Sequence, residues 1–314
     1  MDDLPRLLLL GGAGYIGCRL AMALAGSFDV TVTYRNPNAI RTRWLAEHPA
    51  LTSIRFDSRT DDQLPESDSF DAAISLAMPS AAESAADPDG TLLRSQGIAN
   101  LLGRLAQSGR IRRLIHFSTF HVYGGPARRF YSEQDEALPD NPYGCNHLRC
   151  ENDLMDSPGM DDLLVLRPTN IVAAPAHAEV GPQSGLLFLD ICRQAIQTRR
   201  ILLRNDGLSY RDFLPFDDAL SAIRILLSAP TSGRRIMNLS AGTSTRLDAA
   251  VEEICAVTKK ELGFSPEVVF GDTSDAWRCP FTVSSHSLLA TGWRPKADLA
   301  PEISRTLKFF AENQ

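Results

Sequence analysis

No Cys-x-x-Cys pair and no dense cysteine framework occur in this 314-residue chain, whose six cysteines are Cys18, Cys145, Cys150, Cys192, Cys255 and Cys279. A disulfide-stapled scaffold is thereby excluded, and free thiols in a reducing compartment, the cytoplasm, are expected. Positive charge is also short. The formal net charge is −6 and the Lys and Arg residues are scattered, so no basic face offers the phosphate-neutralising surface that nucleic acid requires. The most apolar stretch, Leu7 to Ala25, follows Met1-Asp2-Asp3, has no basic leader, and carries Arg19 and four glycines. It reads as strand, turn and helix rather than as a signal or membrane segment. His116 and His121 have no acidic or Cys partners at ligand spacing, so no metal is expected. Internal repeats and low-complexity tracts are missing as well.

What is present is ordinary globular composition, 44% hydrophobic and 22% charged, in a chain long enough for one large core or two smaller ones. Short apolar runs alternate with helical patterns through the first half. Arg6 to Leu10, Val30 to Tyr34, Ser53 to Phe56, Ala72 to Leu76, Arg113 to Ser118 and Leu163 to Arg167 are the expected strands. That alternation predicts an α/β fold, a Rossmann-type doubly wound parallel sheet. Beyond about residue 170 the rhythm is broken by Pro168, Pro175, Gly181, Pro182 and Gly185. Helical patterns at Gly185 to Thr198, Asp217 to Ser228, Arg246 to Leu262 and Ala300 to Glu312 follow, with a short strand at Ile236 to Leu239. The expected organisation is a nucleotide-binding domain over residues 1–170, with later crossover segments, and a smaller, mainly helical substrate lobe over 171–314.

The run Leu7-Leu8-Leu9-Leu10 enters Gly11-Gly12-Ala13-Gly14-Tyr15-Ile16-Gly17 and then a helical segment. Glycines at such a place serve a tight turn, close approach of backbone to a pyrophosphate, and close packing of helix on strand. Gly11, Gly14, Tyr15, Ile16 and Gly17 are therefore expected to bind a dinucleotide. An acid about 20 residues on would accept hydrogen bonds from the adenosine ribose of NAD. Here the second strand ends in Arg35-Asn36, and a guanidinium suits a 2′-phosphate, so NADP is expected, with NAD as the alternative.

Three segments carry a family resemblance. Phe117-Ser118-Thr119-Phe120-His121-Val122-Tyr123-Gly124, Asn141-Pro142-Tyr143-Gly144-Cys145-Asn146-His147-Leu148-Arg149-Cys150-Glu151 and Leu166-Arg167-Pro168-Thr169-Asn170 resemble, in order, motifs of the extended short-chain dehydrogenase/reductases that modify nucleotide sugars. Tyr210-Arg211-Asp212-Phe213 and Leu289-Ala290-Thr291-Gly292-Trp293-Arg294-Pro295 extend the likeness to the C-terminal lobe. The resemblance implies that Tyr143 shuttles a proton to and from a sugar oxygen, with Thr119 bonded to the same oxygen. It also implies that Asn170 and Arg211 bind the substrate diphosphate. Asp57, Ser58, Leu76, Ala77, Tyr143, His147 and Pro168 complete the expected cofactor-binding set.

Two positions depart from the pattern. Where the family has a lysine that grips the nicotinamide ribose and lowers the tyrosine pKa, this chain has His147. One charge at about 5 Å in an effective dielectric of about 20 is worth about 3 kcal/mol, whereas a histidine is mostly neutral at pH 7. Near the C-terminus no arginine other than Arg278 matches a family diphosphate ligand. Phe120-His121 after Thr119 also replaces the Asp-Glu of sugar dehydratases, which disfavours dehydration. With Arg35 favouring NADP, a 4-keto-sugar reductase is the leading expectation. A 4-epimerase with retained NAD is the alternative, and a catalytically weak NADP-binding regulator the third reading. The resemblance also implies a homodimer, since the helices opened by Pro142 and by the Asp89 to Gln107 segment correspond to those that pair into a four-helix interface in the family, and Leu92, Leu93, Leu101, Leu102 and Leu105 offer apolar area to bury.

Overall fold

The computed structural model describes residues 4–35, 44–45, 47–58, 64, 68–126, 128–178, 186–229, 233–274 and 277–313. Met1 to Asp3, Asn36, Gly181, Pro182 and Gly185, cited above, lie outside them. The described chain divides into two compact units. The first comprises residues 1–124, 136–167 and 224–237, and the second 125–135, 168–223 and 238–314.

The first unit is built on β1 (Arg6–Leu10), α1 (Tyr15–Leu24), β2 (Asp29–Tyr34), β3 (Leu51–Arg55), β4 (Ala72–Ser75), α2 (Ala81–Ala86), α3 (Pro88–Gln107), β5 (Leu114–Phe117), a 3-10 turn at Phe120–Tyr123 and α4 (Pro142–Met155). In the numbering used here β6 is the short Phe130–Tyr131 pair of the second unit, and β7 (Asp162–Pro168) closes the first unit's run. Strands β3, β2, β1, β4, β5 and β7 pair in parallel in that order. This is the doubly wound sheet expected from the alternating pattern. Leu7 to Leu10 are wholly buried, as strands covered by helices on both faces should be. One sheet face packs under α3 and α4 through Leu8, Leu10, Ala73, Leu114, Leu163, Val165, Leu102, Leu105, Cys150 and Leu154.

Two sequence expectations change at this level. The strand read at Ile236 to Leu239 is the end of β12 (Gly233–Leu239), which joins the large sheet as a seventh strand beside β7. The leucines expected to feed a dimer interface mostly face inward, since Leu101, Leu102 and Leu105 are core residues and only Leu93 is strongly exposed. The groove on the outer side of α3 and α4 is lined by Gln96, Asn100, Arg104, Arg149 and Asp153, a polar surface.

The second unit holds two-stranded pairings in place of a large sheet. β8 (Asn170–Val172) pairs with β11 (Phe213–Pro215), β9 (Arg200–Leu202) with β14 (Glu267–Val269), β10 (Tyr210–Arg211) with β13 (Thr245–Arg246), and β6 with β15 (Thr282–Val283). Its larger helices are α5 (Leu187–Gln197), α6 (Phe216–Ser228, whose last turn belongs to the first unit), α7 (Leu247–Leu262) and, after the short α8 (His286–Leu289), α9 (Ala300–Glu312). No helix among the described residues is long and apolar enough to cross a membrane.

Candidate active site

The glycine turn is shaped by its neighbours. Gly11 has φ +81°, and a Cβ there would stand 2.9 Å from the backbone of Ala77. A Cβ on Gly17 would meet the Gly11 carbonyl oxygen at 2.6 Å, so only glycine lets α1 pack this close to the turn. The turn is pinned to β2 because Gly11 N–H donates to Thr33 Oγ1 at 2.8 Å and Ala13 N–H to the Thr33 carbonyl at 3.3 Å. Helix α1 starts from Gly14 with no side-chain cap and no acid in its first turn. Its positive dipole end and first N–H groups are thus arranged for an anion. Leu76 N–H donates to the Leu10 carbonyl at 2.8 Å, which sets Leu76-Ala77 against the same turn. Asp57 is buried at the end of β3, and the Ser58 carbonyl lies where Gly97 of α3 lacks a side chain, 2.8 Å from the position of a Cβ.

Arg35 does not stand alone at the end of β2. Its guanidinium lies 3.6 Å from Glu83 of α2, and Arg94 of α3 lies 3.1 Å from the same carboxylate. Glu83 is held by a capping box, in which the Ser80 N–H and hydroxyl each donate to Glu83 Oε2 at 2.9 Å and the Glu83 N–H donates back to Ser80 Oγ. Burial alone would raise this carboxyl, but the Ser80 and Arg94 hydrogen bonds outweigh it and hold the pKa down to about 2. Ser80 and Glu83 were not singled out in the sequence, although Ser-x-x-Glu is the capping-box signature that could have found them; that Glu83 supplies a counterion to Arg35 has no local signal.

Tyr143 and His147 sit on one face of α4, whose start is fixed by Asn141 Oδ1 accepting from Gly144 N–H at 2.9 Å and by Pro142 in the first turn. The Tyr143 hydroxyl is hydrogen-bonded to Thr119, and burial nevertheless pushes its pKa above 10. Thr119 is itself buried and caps the 3-10 turn, accepting from His121 N–H at 3.2 Å. The Tyr143 ring is flanked edge-on by His147 at 4.6 Å and His121 at 5.8 Å between centroids. His147 is buried, and desolvation, with opposition from His116 and His121, holds its pKa well below 6.5. The structure therefore joins Thr119, Tyr143 and His147, as the motifs implied, with the imidazole neutral.

One turn after His147, Glu151 ties α4 to the sheet. Arg167 of β7 donates to both its oxygens, at 3.0 and 2.6 Å, and the Ser118 hydroxyl donates to Oε1. All three are buried, and the guanidinium lies 4.9 Å over the Tyr123 ring. Asn146 fastens the opposite side of the helix, its amide donating to Ser84 and Thr91. Sequence reasoning named Glu151 and Arg167 only as motif letters.

Pro168, Asn170 and Arg211 belong to the second unit. There the Asn170 amide donates to the Asp212 carbonyl at 2.9 Å, and Arg211 donates to the Tyr210 carbonyl at 2.7 Å. Arg278 pairs with Asp206 at 2.6 Å.

Residues 7–240 match the family described as "NAD dependent epimerase/dehydratase family". The UDP-glucose 4-epimerase of Azospirillum brasilense is 26% identical over 323 residues, covering 96% of this chain and 90% of that one. The solved UDP-glucose-4-epimerase of Stenotrophomonas maltophila, with bound NAD and formylated UDP-arabinopyranose, superposes with a TM-score of 0.81 at 22% identity over 98% of both chains. RMD from Pseudomonas aeruginosa, complexed with NADPH, gives 0.77 at 23% identity over 99% of this chain and 100% of that one.

Proposed function

Because the chain belongs to the NAD dependent epimerase/dehydratase family, we propose that it is a nucleotide-sugar 4-epimerase working with a retained NAD. The observation that carries this reading is the Tyr143–Thr119 hydrogen bond beside His147, in the same unit as the glycine turn. NAD, when bound, supplies the acceptor and donor of hydride at the sugar C4. The residues fit it. The uncapped start of α1 at Gly14, Tyr15, Ile16 and Gly17 suits the pyrophosphate, Gly11 with Leu76 and Ala77 forms the floor of the turn, and Asp57 and Ser58 bound the adenosine end. Among the described residues both His147 ring nitrogens lack a protein partner, and one of them suits a ribose hydroxyl.

Thr119 and Tyr143 then hold the sugar C4 oxygen, Tyr143 giving and taking its proton, while Asn170 and Arg211 remain the candidates for the diphosphate and Pro168 for the nicotinamide side. NAD is favoured over NADP because, among the described residues, the Arg35 guanidinium that follows β2 is engaged by Glu83 and is not left unopposed for a 2′-phosphate. The reductase expectation rested on Arg35 standing where NAD would need an acid.

The test is to release and identify the nucleotide from purified protein, then to incubate it with UDP-glucose or UDP-arabinose without added cofactor. Copurifying NAD and interconversion of the C4 epimers are expected, and Glu83→Gln should raise the affinity for NADP relative to NAD. Consumption of added NADPH by a 4-keto sugar nucleotide, with no interconversion, would overturn the reading in favour of a reductase.

A further inference from the structure

Under the first turns of α4, five side-chain atoms of three residues have no hydrogen-bond partner among the described residues: Ser75 Oγ and both ring nitrogens of His116 and of His147. Ser75 and His116 are wholly buried and His147 is 3% exposed. Their clustering follows from the fold. Ser75 and His116 are in-register neighbours on β4 and β5, and such neighbours on parallel strands project to the same face. Ala73 and Leu114, two positions earlier on each strand, pack in the core beneath α3 and α4 with Cys150 of α4. Ser75 and His116 therefore look toward α4, where His147 lies one turn before Cys150. The two imidazoles are near enough for a charge on one to oppose a charge on the other.

Buried polar groups are almost always partnered, and a concentration of unpartnered ones marks a polar occupant or a chemical role. Two neighbouring carboxylates are committed elsewhere. Glu151 is bound by Arg167 and Ser118, and Glu83 by Arg35, Arg94 and Ser80. His121, on the 3-10 turn, also faces the Tyr143 ring.

We propose that Ser75, His116 and His147 form a buried, water-bridged proton relay behind Tyr143, with His147 as the proton store and His116 as the positioning residue that fixes its tautomer. This rests on the epimerase reading. In the oxidising half-reaction the sugar O–H proton passes to Tyr143 Oη as the phenol's own proton passes, through bridging water, to a His147 nitrogen. The electron pair of the C4–H bond would leave as hydride, for which NAD, when bound, would be the acceptor. The reducing half-reaction reverses each transfer, so the cycle returns both protons. A phenol held above its usual pKa and an imidazole held below its own are both neutral at rest. Such a phenol accepts a proton only by giving one up, and a neutral imidazole can receive it. A lysine ammonium at the same place arrives already protonated and cannot.

The test compares wild type with His116→Phe, His116→Gln and Ser75→Ala. The tautomer and titration of His147 are read by nitrogen-15 NMR on the protein without sugar, alongside melting temperature, kcat and its solvent deuterium dependence. We expect one His147 tautomer in wild type and a mixture in His116→Phe. For His116→Phe kcat should fall about tenfold or more with KM within about twofold, and His116→Gln should restore much of the loss. In the wild-type proton inventory more than one proton should be in flight, reduced to one in His147→Lys. Should His116→Phe not fold, Ser75→Ala carries the same comparison. The proposal is overturned if either apolar variant melts higher than wild type with unchanged kcat and an unchanged His147 spectrum. It also fails if the proton inventory is linear in wild type. Because the NMR arm needs no substrate, absence of epimerisation with a His116-dependent His147 tautomer would remove the functional reading and leave the paired imidazoles standing.

Discussion

Among the described residues, the first unit is ordered by a backbone ladder of seven strands, whereas the second shows two-stranded pairings and holds its loops with buried acids. Asp212 accepts from Thr169 Oγ1 at 2.6 Å and from the Ala241 N–H at 3.0 Å. Asp218 accepts from the Lys296 and Ala297 N–H groups at 2.9 and 2.8 Å. Glu302 accepts from the Ala174 N–H and from Arg305. A carboxylate with two oxygens does for an irregular segment what a neighbouring strand does for a regular one: it satisfies N–H groups that would otherwise be buried and unpaired. Buried polar groups in the first unit serve another end. Its neutral imidazoles and its Glu151–Arg167 ion pair lie around the tyrosine, where chemistry rather than chain connection is at stake.

The sharpest way to break this contrast is to remove one member of the first unit's ion pair. Glu151→Leu strands the Arg167 guanidinium in the core and should cost about 3–5 kcal/mol, measured as a loss in guanidinium chloride unfolding. Glu151→Leu with Arg167→Met should recover most of the stability but not the activity, since α4 loses its register against Ser118-Thr119. If the single variant is as stable as wild type, the pair anchors nothing.

Acid should separate the units next. Burial lowers His116 from 6.5 to about 4. An unfolded chain therefore takes up a proton below pH 6.5 that the folded one refuses, and stability worth about 3 kcal/mol is lost as pH falls from 6.5 toward 4. His147 shifts in the same direction. Asp212 runs the other way: burial raises it from 3.8 to about 6, against the Thr169, Ala241 and Gly242 hydrogen bonds. Its contribution is full below pH 3.8 and is lost as pH rises through 6. Hydrogen exchange at pH 7 and pH 5, corrected for intrinsic rates, should show β5 and α4 loosening in acid while β8 and β11 tighten. Asp212→Asn should abolish only the second change. Parallel shifts in both segments would refute the division.

The smallest effect is expected at an acid that braces a loop near the surface. Asp218→Ala orphans the Lys296 and Ala297 N–H groups, but Lys296 is exposed and water can replace part of the loss. A cost of about 2 kcal/mol is expected in thermal or denaturant unfolding. A cost above that of Glu151→Leu would invert the ranking.

The same contrast explains what could be read in the sequence. Runs such as Leu7 to Leu10 and Leu163 to Arg167, and the glycines at positions 11, 14 and 17, announce themselves because their physics is local: strand period, turn angle, helix start. Tyr143 and His147 were legible through the family resemblance of the segment that carries them, and their spacing of four then puts them on one helix face. Ile236 to Leu239 was readable as a strand but not as the seventh of the large sheet, because pairing with β7 is a contact between distant segments. Arg35 was read by its guanidinium alone, whereas Glu83, far away in sequence, is its partner. Leu101, Leu102 and Leu105 are apolar whether they face a core or a second subunit, and only the packed helices decide between the two. Asp212 stood only as a motif letter, and the clamping roles of Asp212, Asp218 and Glu302 gave no signal, since an acid that clamps a loop looks like any surface acid until the loop is folded.

The path of the chain also imposes a timetable. The first unit is not complete at Pro168, because its edge strand begins at Gly233, 65 positions later. During translation at roughly 5–20 residues per second, the strand β7 waits about 3–13 s for that neighbour to emerge. Throughout the interval its free edge is exposed on the nascent chain. Arg113 receives the returning segment, with its guanidinium donating to Asp162 and to the Leu226 and Leu227 carbonyls. The arrival of α6 at this clasp therefore precedes the delivery of the last strand, and no single cut in the gene separates the seven-stranded sheet from the second unit.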